Sequence, residues 1–96
     1  MQFSVTAMDH TDDEALDRRM QHRDAHLAGV RQLIAEGHFL SGGAILDAEG
    51  KMIGSTLHLE FPDQASLEEH LNKDPYISGK VWEHIDIKPV KLVPMQ

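Results

Sequence analysis

The run FLSGGAILDAEGKMIGSTLHLEF, from Phe39 to Phe61, decides the fold. Two apolar-rich stretches, Phe39 to Leu46 and Met52 to Phe61, flank Asp47-Ala48-Glu49-Gly50-Lys51, whose glycine and acidic residues suit a short loop. The two stretches are expected to pair as antiparallel strands. In the second, Ile53, Leu57, Leu59 and Phe61 share one face and Thr56, His58 and Glu60 the other, with Ser55 on the apolar side.

Upstream, Leu16, Met20, Leu27, Val30 and Ile34 fall on one face at helical spacing and Gly37 supplies a stop, so helical structure is expected over much of Asp13 to Glu36. Thr11-Asp12-Asp13-Glu14 has the spacing of a capping box, with acidic residues where a helix N-terminus favours negative charge. Arg23 projects into the middle of the apolar stripe. A guanidinium there is costly unless it is paired or the helix is interrupted nearby, and both arrangements stay open. Before the helix, Gln2 to Met8 alternates, with Phe3, Val5 and Ala7 on one side and Gln2, Ser4 and Thr6 on the other, as a half-buried strand does.

Downstream, Pro62-Asp63 with Ser66-Leu67-Glu68-Glu69 marks a short helix ending near Asn72, its buried stripe drawn from Ala65, Leu67 and Leu71. Asp74-Pro75-Tyr76 punctuates the chain. From Val81, Ile85 and Ile87 continue an inward face, and beyond Pro89 the apolar phase moves to Val90 and Leu92, which predicts a last strand with a kink. The order βαββαβ is most simply satisfied by an α+β, ferredoxin-like arrangement, two helices on one face of a four-stranded antiparallel sheet. The other face would carry Ser4, Thr6, Thr56, His58, Trp82 and His84, meeting either water or a wet interface with another subunit.

With 96 residues, no cysteine and a formal charge of −7, the chain is expected to form a single domain over residues 1–96, too small for two cores and marginal enough alone that pairing with a second copy is anticipated. The lack of cysteine excludes disulfide scaffolds and thiolate nucleophiles and fits a reducing, cytoplasmic setting. Nine Lys+Arg against sixteen Asp+Glu leaves no basic footprint for nucleic acid or anionic lipid, and no segment is apolar enough to span a membrane.

Seven histidines are many for this length. His22 and His26 stand four apart, but HRDAH lacks the glutamate of the HExxH zinc motif and no third ligand is marked, so no metal site is expected. His22, His38 and His70 read as exposed polar residues, while His10, His58 and His84 fall on strands or strand ends that can meet a subunit boundary. His26 lies on the flank of the helical stripe beside Arg23, and Ser55 points from the sheet toward the same side. Three such groups at the helix-to-sheet layer form either a small polar pocket or an ordinary polar core edge. Asp74 reads either as a turn residue or as the group that orients His26 by accepting a ring N–H. Gly42-Gly43 permits close backbone approach to a ligand or accommodates a strand bulge.

Arg23-Asp24-Ala25-His26-Leu27, Gly37 with Leu40 and Gly42, Gly54-Ser55-Thr56, Asp74-Pro75-Tyr76, Glu83-His84 and Lys88-Pro89 together resemble the successive landmarks of the YciI-like (YCII-related) proteins over nearly the full chain. The resemblance implies a dimeric α+β barrel, a homodimer formed through the sheets, and a site built on a histidine and an aspartate. It makes His26 and Asp74 the catalytic candidates, with Arg23 and Ser55 nearby for a small-molecule substrate, and it implies no cofactor. Relatives often have proline at the position of Asp24, which would mark a helix start and put His26 in a first turn. They also commonly carry Gly-Pro where Gly42-Gly43 stands, so the pocket wall differs and substrate identity does not carry over.

A dehydrochlorinase of a chlorinated hydroxyhydroquinone is the best-known enzymatic type in this family. The expectation is therefore a cofactor-independent lyase acting by His26 general-base proton abstraction, with Asp74 orienting the base and Arg23 meeting a phenolate or departing anion. The alternatives are a non-catalytic metabolite-binding or accessory dimer, and proton shuttling of the muconolactone-isomerase kind, which needs no leaving group.

Overall fold

The computed structural model describes residues 1–95. Its elements are β1 (Gln2–Asp9), α1 (Ala15–Ala35), β2 (Phe39–Leu46), β3 (Met52–Glu60), α2 (Gln64–Leu71), α3 (Pro75–Ser78) and β4 (Trp82–Val90). The strands form one antiparallel sheet in the order β2-β3-β1-β4, with β1 central between β3 and β4. This is the ferredoxin-like α+β topology expected from the order of elements. The short α3 stands where the sequence showed only punctuation.

Period-2 patterning places the core. Phe3, Val5 and Ala7 of β1 and Leu57 and Leu59 of β3 are buried beneath Leu33 of α1 and Leu67 and Leu71 of α2. On β4, Ile87 sits opposite Val5 and Ile85 opposite Ala7, so both face inward as expected. The start of α2 also follows the sequence: the Asp63 carboxylate accepts from the Ser66 N–H at 2.8 Å, closing a capping box.

Four local expectations are corrected. Thr11 to Glu14 forms no capping box; α1 starts after Glu14, the N-cap, without a side-chain cap, and it is Asp12 whose carboxylate serves this turn, accepting from the Glu14 N–H at 3.3 Å and a forked pair from Arg18 at 2.7 and 3.2 Å. The inward stripe of α1 is Arg19, His26 and Leu33, while Met20 and Ile34 are 50% and 55% exposed. That stripe is rotated by roughly 80° from the apolar face, taking 3.6 residues per turn. The phase change in β4 lies not at Pro89, which pairs in register with Phe3, but at Glu83, where a bulge opposite Met8 and Asp9 lets Trp82 pair with Asp9. Trp82 is therefore buried on the helix side, and Ser4, Thr6, Thr56, His58 and His84 remain on the opposite face. No helix among the described residues is long and apolar enough to cross a membrane.

Candidate active site

Beneath α1, against β2 and β3, lies a cavity of about 140 Å³ lined by Arg19, Arg23, His26, Ser55, Leu57 and Tyr76 among others. Two polar assemblies meet at its wall, one organised by His26 and one by Arg19.

Asp74 is the N-cap of α3, followed by Pro75 at the first helical position, and its carboxylate accepts from the Tyr76 N–H at 2.9 Å. Capping thus fixes the carboxylate from its own side of the chain. From α1, Nδ1 of His26 stands 2.9 and 3.0 Å from its two oxygens, with the side chains 7% and 13% exposed. A carboxylate only accepts, so Nδ1 carries the proton and donates it. In the neutral ring the lone pair is then on Nε2, which makes no hydrogen bond among the described residues. The ring plane is held by Tyr76, stacked at 3.9 Å and 10°, and by Trp82 edge-on at 5.7 Å.

Arg19, two helical turns before His26, is almost wholly buried. Its Nη1 donates to both oxygens of Asp9 at 2.8 and 3.0 Å, and its Nη2 donates to Ser55 Oγ at 2.8 Å. Trp82 Nε1 donates to the same Oγ at 3.2 Å, and the guanidinium carbon lies 4.8 Å from the Tyr76 ring centroid. Burial pushes the Asp9 carboxyl above its ordinary range, against the opposing pull of Arg19, and pushes the Tyr76 phenol up as well. Nε of Arg19 is buried with no partner among the described residues.

The structure brings His26 to Asp74 and puts Arg23 and Ser55 on the same cavity. Helix α1 runs without interruption through Arg23, so His26 lies mid-helix rather than in a first turn. Arg23 is half-buried and has no carboxylate partner among the described residues. The guanidinium that is buried and paired is Arg19, which sequence reading passed over. Its signal was present: Arg19, His26 and Leu33 recur at intervals of seven, two helical turns. Asp9 likewise continues the inward phase of Phe3, Val5 and Ala7. Tyr76 was visible as part of Asp74-Pro75-Tyr76, but nothing in that tripeptide showed it stacking on His26.

Gly42 has a structural reason of its own. A Cβ there would stand 2.7 Å from the Thr56 carbonyl oxygen, just after the bulge between Phe39 and Ser41, whereas one at Gly43 would meet open space. The remaining histidines lie elsewhere. His22, His38 and His70 are half-buried rather than exposed, because His22 packs on Gly79, His38 stacks on Phe61 at 4.2 Å and His70 tilts against the same ring. His58 pairs with Ser41 Oγ at 2.9 Å, and His10 and His84 lie beside Glu83. Among the described residues no three His, Asp or Glu side chains gather as a metal's ligands would.

An antiparallel sheet in this order, backed by helices and holding a His–Asp pair at a small cavity, defines a ferredoxin-like α+β protein with a candidate site for a small molecule. Residues 1–91 match the family model of the YCII-related domain, and the chain belongs to that family. It is 31% identical to Protein YciI of Escherichia coli O6:H1 (strain CFT073) over 99 aligned positions, covering 97% of this chain and 99% of the relative. An uncharacterized protein of Haemophilus influenzae is 33% identical over 84 positions, covering 81% of this chain and 86% of the relative. Among solved structures, the 5-chloro-2-hydroxyhydroquinone dehydrochlorinase TftG of Burkholderia phenoliruptrix AC1100, in complex with 2,5-dihydroxybenzoquinone, superposes with a TM-score of 0.84 at 23% identity, covering 95% of this chain and 94% of its own. An antibiotic biosynthesis monooxygenase shares the fold more loosely, at a TM-score of 0.55 and 20% identity over 96% of this chain and 99% of its own.

Proposed function

We propose that the protein is a cofactor-independent lyase that removes hydrogen chloride from a small chlorinated, hydroxylated aromatic, with His26 as general base. The observation that carries this reading is the Nδ1 contact of His26 with Asp74, at 2.9 and 3.0 Å, which leaves Nε2 beside the cavity without a partner among the described residues. The cavity volume of 140 Å³ supports a single-ring ligand, since an apolar cavity of about 150 Å³ binds benzene. The 2,5-dihydroxybenzoquinone in the TftG complex is a ring of that class.

The chemistry follows from a proton acceptor, His26, and a cation, Arg23, without a carboxylate partner among the described residues. Nε2 takes the proton of a ring hydroxyl, and the imidazolium that forms faces the Asp74 carboxylate through Nδ1–H. The same proton returns to the ring carbon that bears chlorine, leaving that carbon tetrahedral. His26, neutral again, takes the proton of a second hydroxyl at Nε2, that O–H electron pair becomes the new carbonyl, and chloride leaves with the C–Cl pair; the imidazolium then gives this proton to solvent. The net change is loss of one HCl and formation of a hydroxyquinone. Arg23 meets the phenolate or the departing chloride.

Chloride release and quinone absorbance, followed with a chlorinated hydroxyhydroquinone, test the reading. Wild type is expected to release chloride in step with quinone, and His26→Ala to lose about 10²–10⁴-fold in rate. Full turnover in His26→Ala removes the base assignment; affinity for the ring without chloride makes the protein a binding module instead. We also infer a homodimer through the open sheet face of Ser4, Thr6, Thr56, His58 and His84. Equilibrium sedimentation at the mass of one chain would contradict it.

A further inference from the structure

We infer that Arg19 and Trp82 are positioning residues that fix Ser55 as a hydrogen-bond donor, so that the site selects a ring presenting an acceptor oxygen to it. The inference deepens the proposed function: it rests on the cavity being the ligand site and not on the loss of chloride.

A serine hydroxyl has two acceptor lone pairs and one proton. Ser55 is 2% exposed, and its Oγ accepts from Arg19 Nη2 at 2.8 Å and from Trp82 Nε1 at 3.2 Å. Guanidinium and indole N–H groups donate only, so neither contact can reverse. Both lone pairs are used, and no carbonyl or carboxylate among the described residues accepts the Ser55 proton. That proton belongs to a side chain lining the cavity.

The arrangement resists rotation. Arg19 is held at its other nitrogen by both oxygens of Asp9 and its guanidinium lies 4.8 Å from the Tyr76 ring centroid, while Trp82 is 6% exposed in the core. Turning the hydroxyl away would strand two buried donors. The same arginine adds an N–H at Nε that is buried without a partner among the described residues. Ser55 and His26 line one cavity, so a phenol oxygen bound there can accept from Ser55 while giving its proton to Nε2. An aromatic amine of the same shape can donate a hydrogen bond to His26, but its delocalised nitrogen is a poor acceptor for Ser55.

The experiment compares 4-fluorophenol and 4-fluoroaniline on the intact protein by fluorine NMR titration, with Ser55→Ala and Trp82→Phe beside wild type. Wild type is expected to bind the phenol about tenfold or more tightly, the cost of leaving a buried donor unpaired. Ser55→Ala removes that preference. Trp82→Phe frees one lone pair of Oγ, lets the hydroxyl turn and narrows the ratio while ring binding persists, which a purely structural role for the indole would not do. Equal wild-type affinities, or binding of neither probe at millimolar concentration, overturns the inference, as does an unchanged ratio in folded Trp82→Phe. A phenol preference without chloride release keeps this inference and rejects the dehydrochlorinase reading.

Discussion

Replacing Asp74 separates its two tasks. Its carboxylate caps α3 through the Tyr76 N–H at 2.9 Å and holds His26 Nδ1 at 2.9 and 3.0 Å. Asparagine caps as well as aspartate, whereas alanine loses about 1 kcal/mol of helix capping. In a domain of this size that loss lowers the melting temperature by about 4–8 °C. Asp74→Asn should therefore melt close to wild type and Asp74→Ala several degrees below it. The chemistry divides differently. With the amide oxygen kept by Tyr76 N–H, that oxygen still accepts from Nδ1 at 2.9 Å, but the second oxygen, 3.0 Å from Nδ1, becomes a nitrogen and the negative charge that faces the imidazolium is gone. Loss of a hydrogen bond to a charged group costs about 1.5–3 kcal/mol, or roughly 10–150-fold in rate. The assay is kcat/KM for chloride release, with thermal melts of both variants. Wild-type turnover in Asp74→Asn, or a melt as low as that of Asp74→Ala, refutes the division of roles.

Two further tests concern the scaffold. Arg19→Ala strands Asp9, which is 5% exposed, and should cost about 3–5 kcal/mol in urea unfolding; the Asp9→Ala, Arg19→Ala double variant should recover much of it, and a single-variant cost near zero would contradict the buried pair. The bonds from Arg18 hold the Asp12 carboxyl at about 2, below its ordinary 3.8. Its contribution is therefore complete above pH 3.8 and disappears as the pH falls toward 2, so Asp12→Asn should flatten that part of the acid unfolding curve, and an unchanged curve would count against the pair.

Strand faces were legible because a period of two leaves little freedom. The alternation from Phe3 to Ala7 and from Ile53 to Phe61 put the right side chains inward, and with them Ser55. The helix was harder. An inward stripe of Arg19, His26 and Leu33 has no hydrophobic signature, and the apolar face beside it pulled the reading round to Met20 and Ile34, which are exposed. A helix covering a polar cavity need not point its most apolar stripe at the sheet, so hydrophobicity locates the helix and misplaces its face. Trp82 was misplaced for another reason: one extra residue, Glu83, in a bulge shifts the phase of the strand, and register is a property of two strands together. The contact between His26 and Asp74 joins residues far apart in the chain; spacing left it as one of two readings of Asp74, and the family resemblance favoured it.

General-base chemistry at this site requires the lone pair of His26 to lie on Nε2. Long-range nitrogen–proton NMR of the histidine rings, recorded well above the ordinary imidazole range of about 6.5 and assigned with His26→Gln, reads this directly. Nδ1–H bonded to Asp74, with an unprotonated Nε2, is the predicted pattern. A His26 ring protonated at Nε2 and bare at Nδ1 would contradict it, because the cavity would then hold a donor in place of the base.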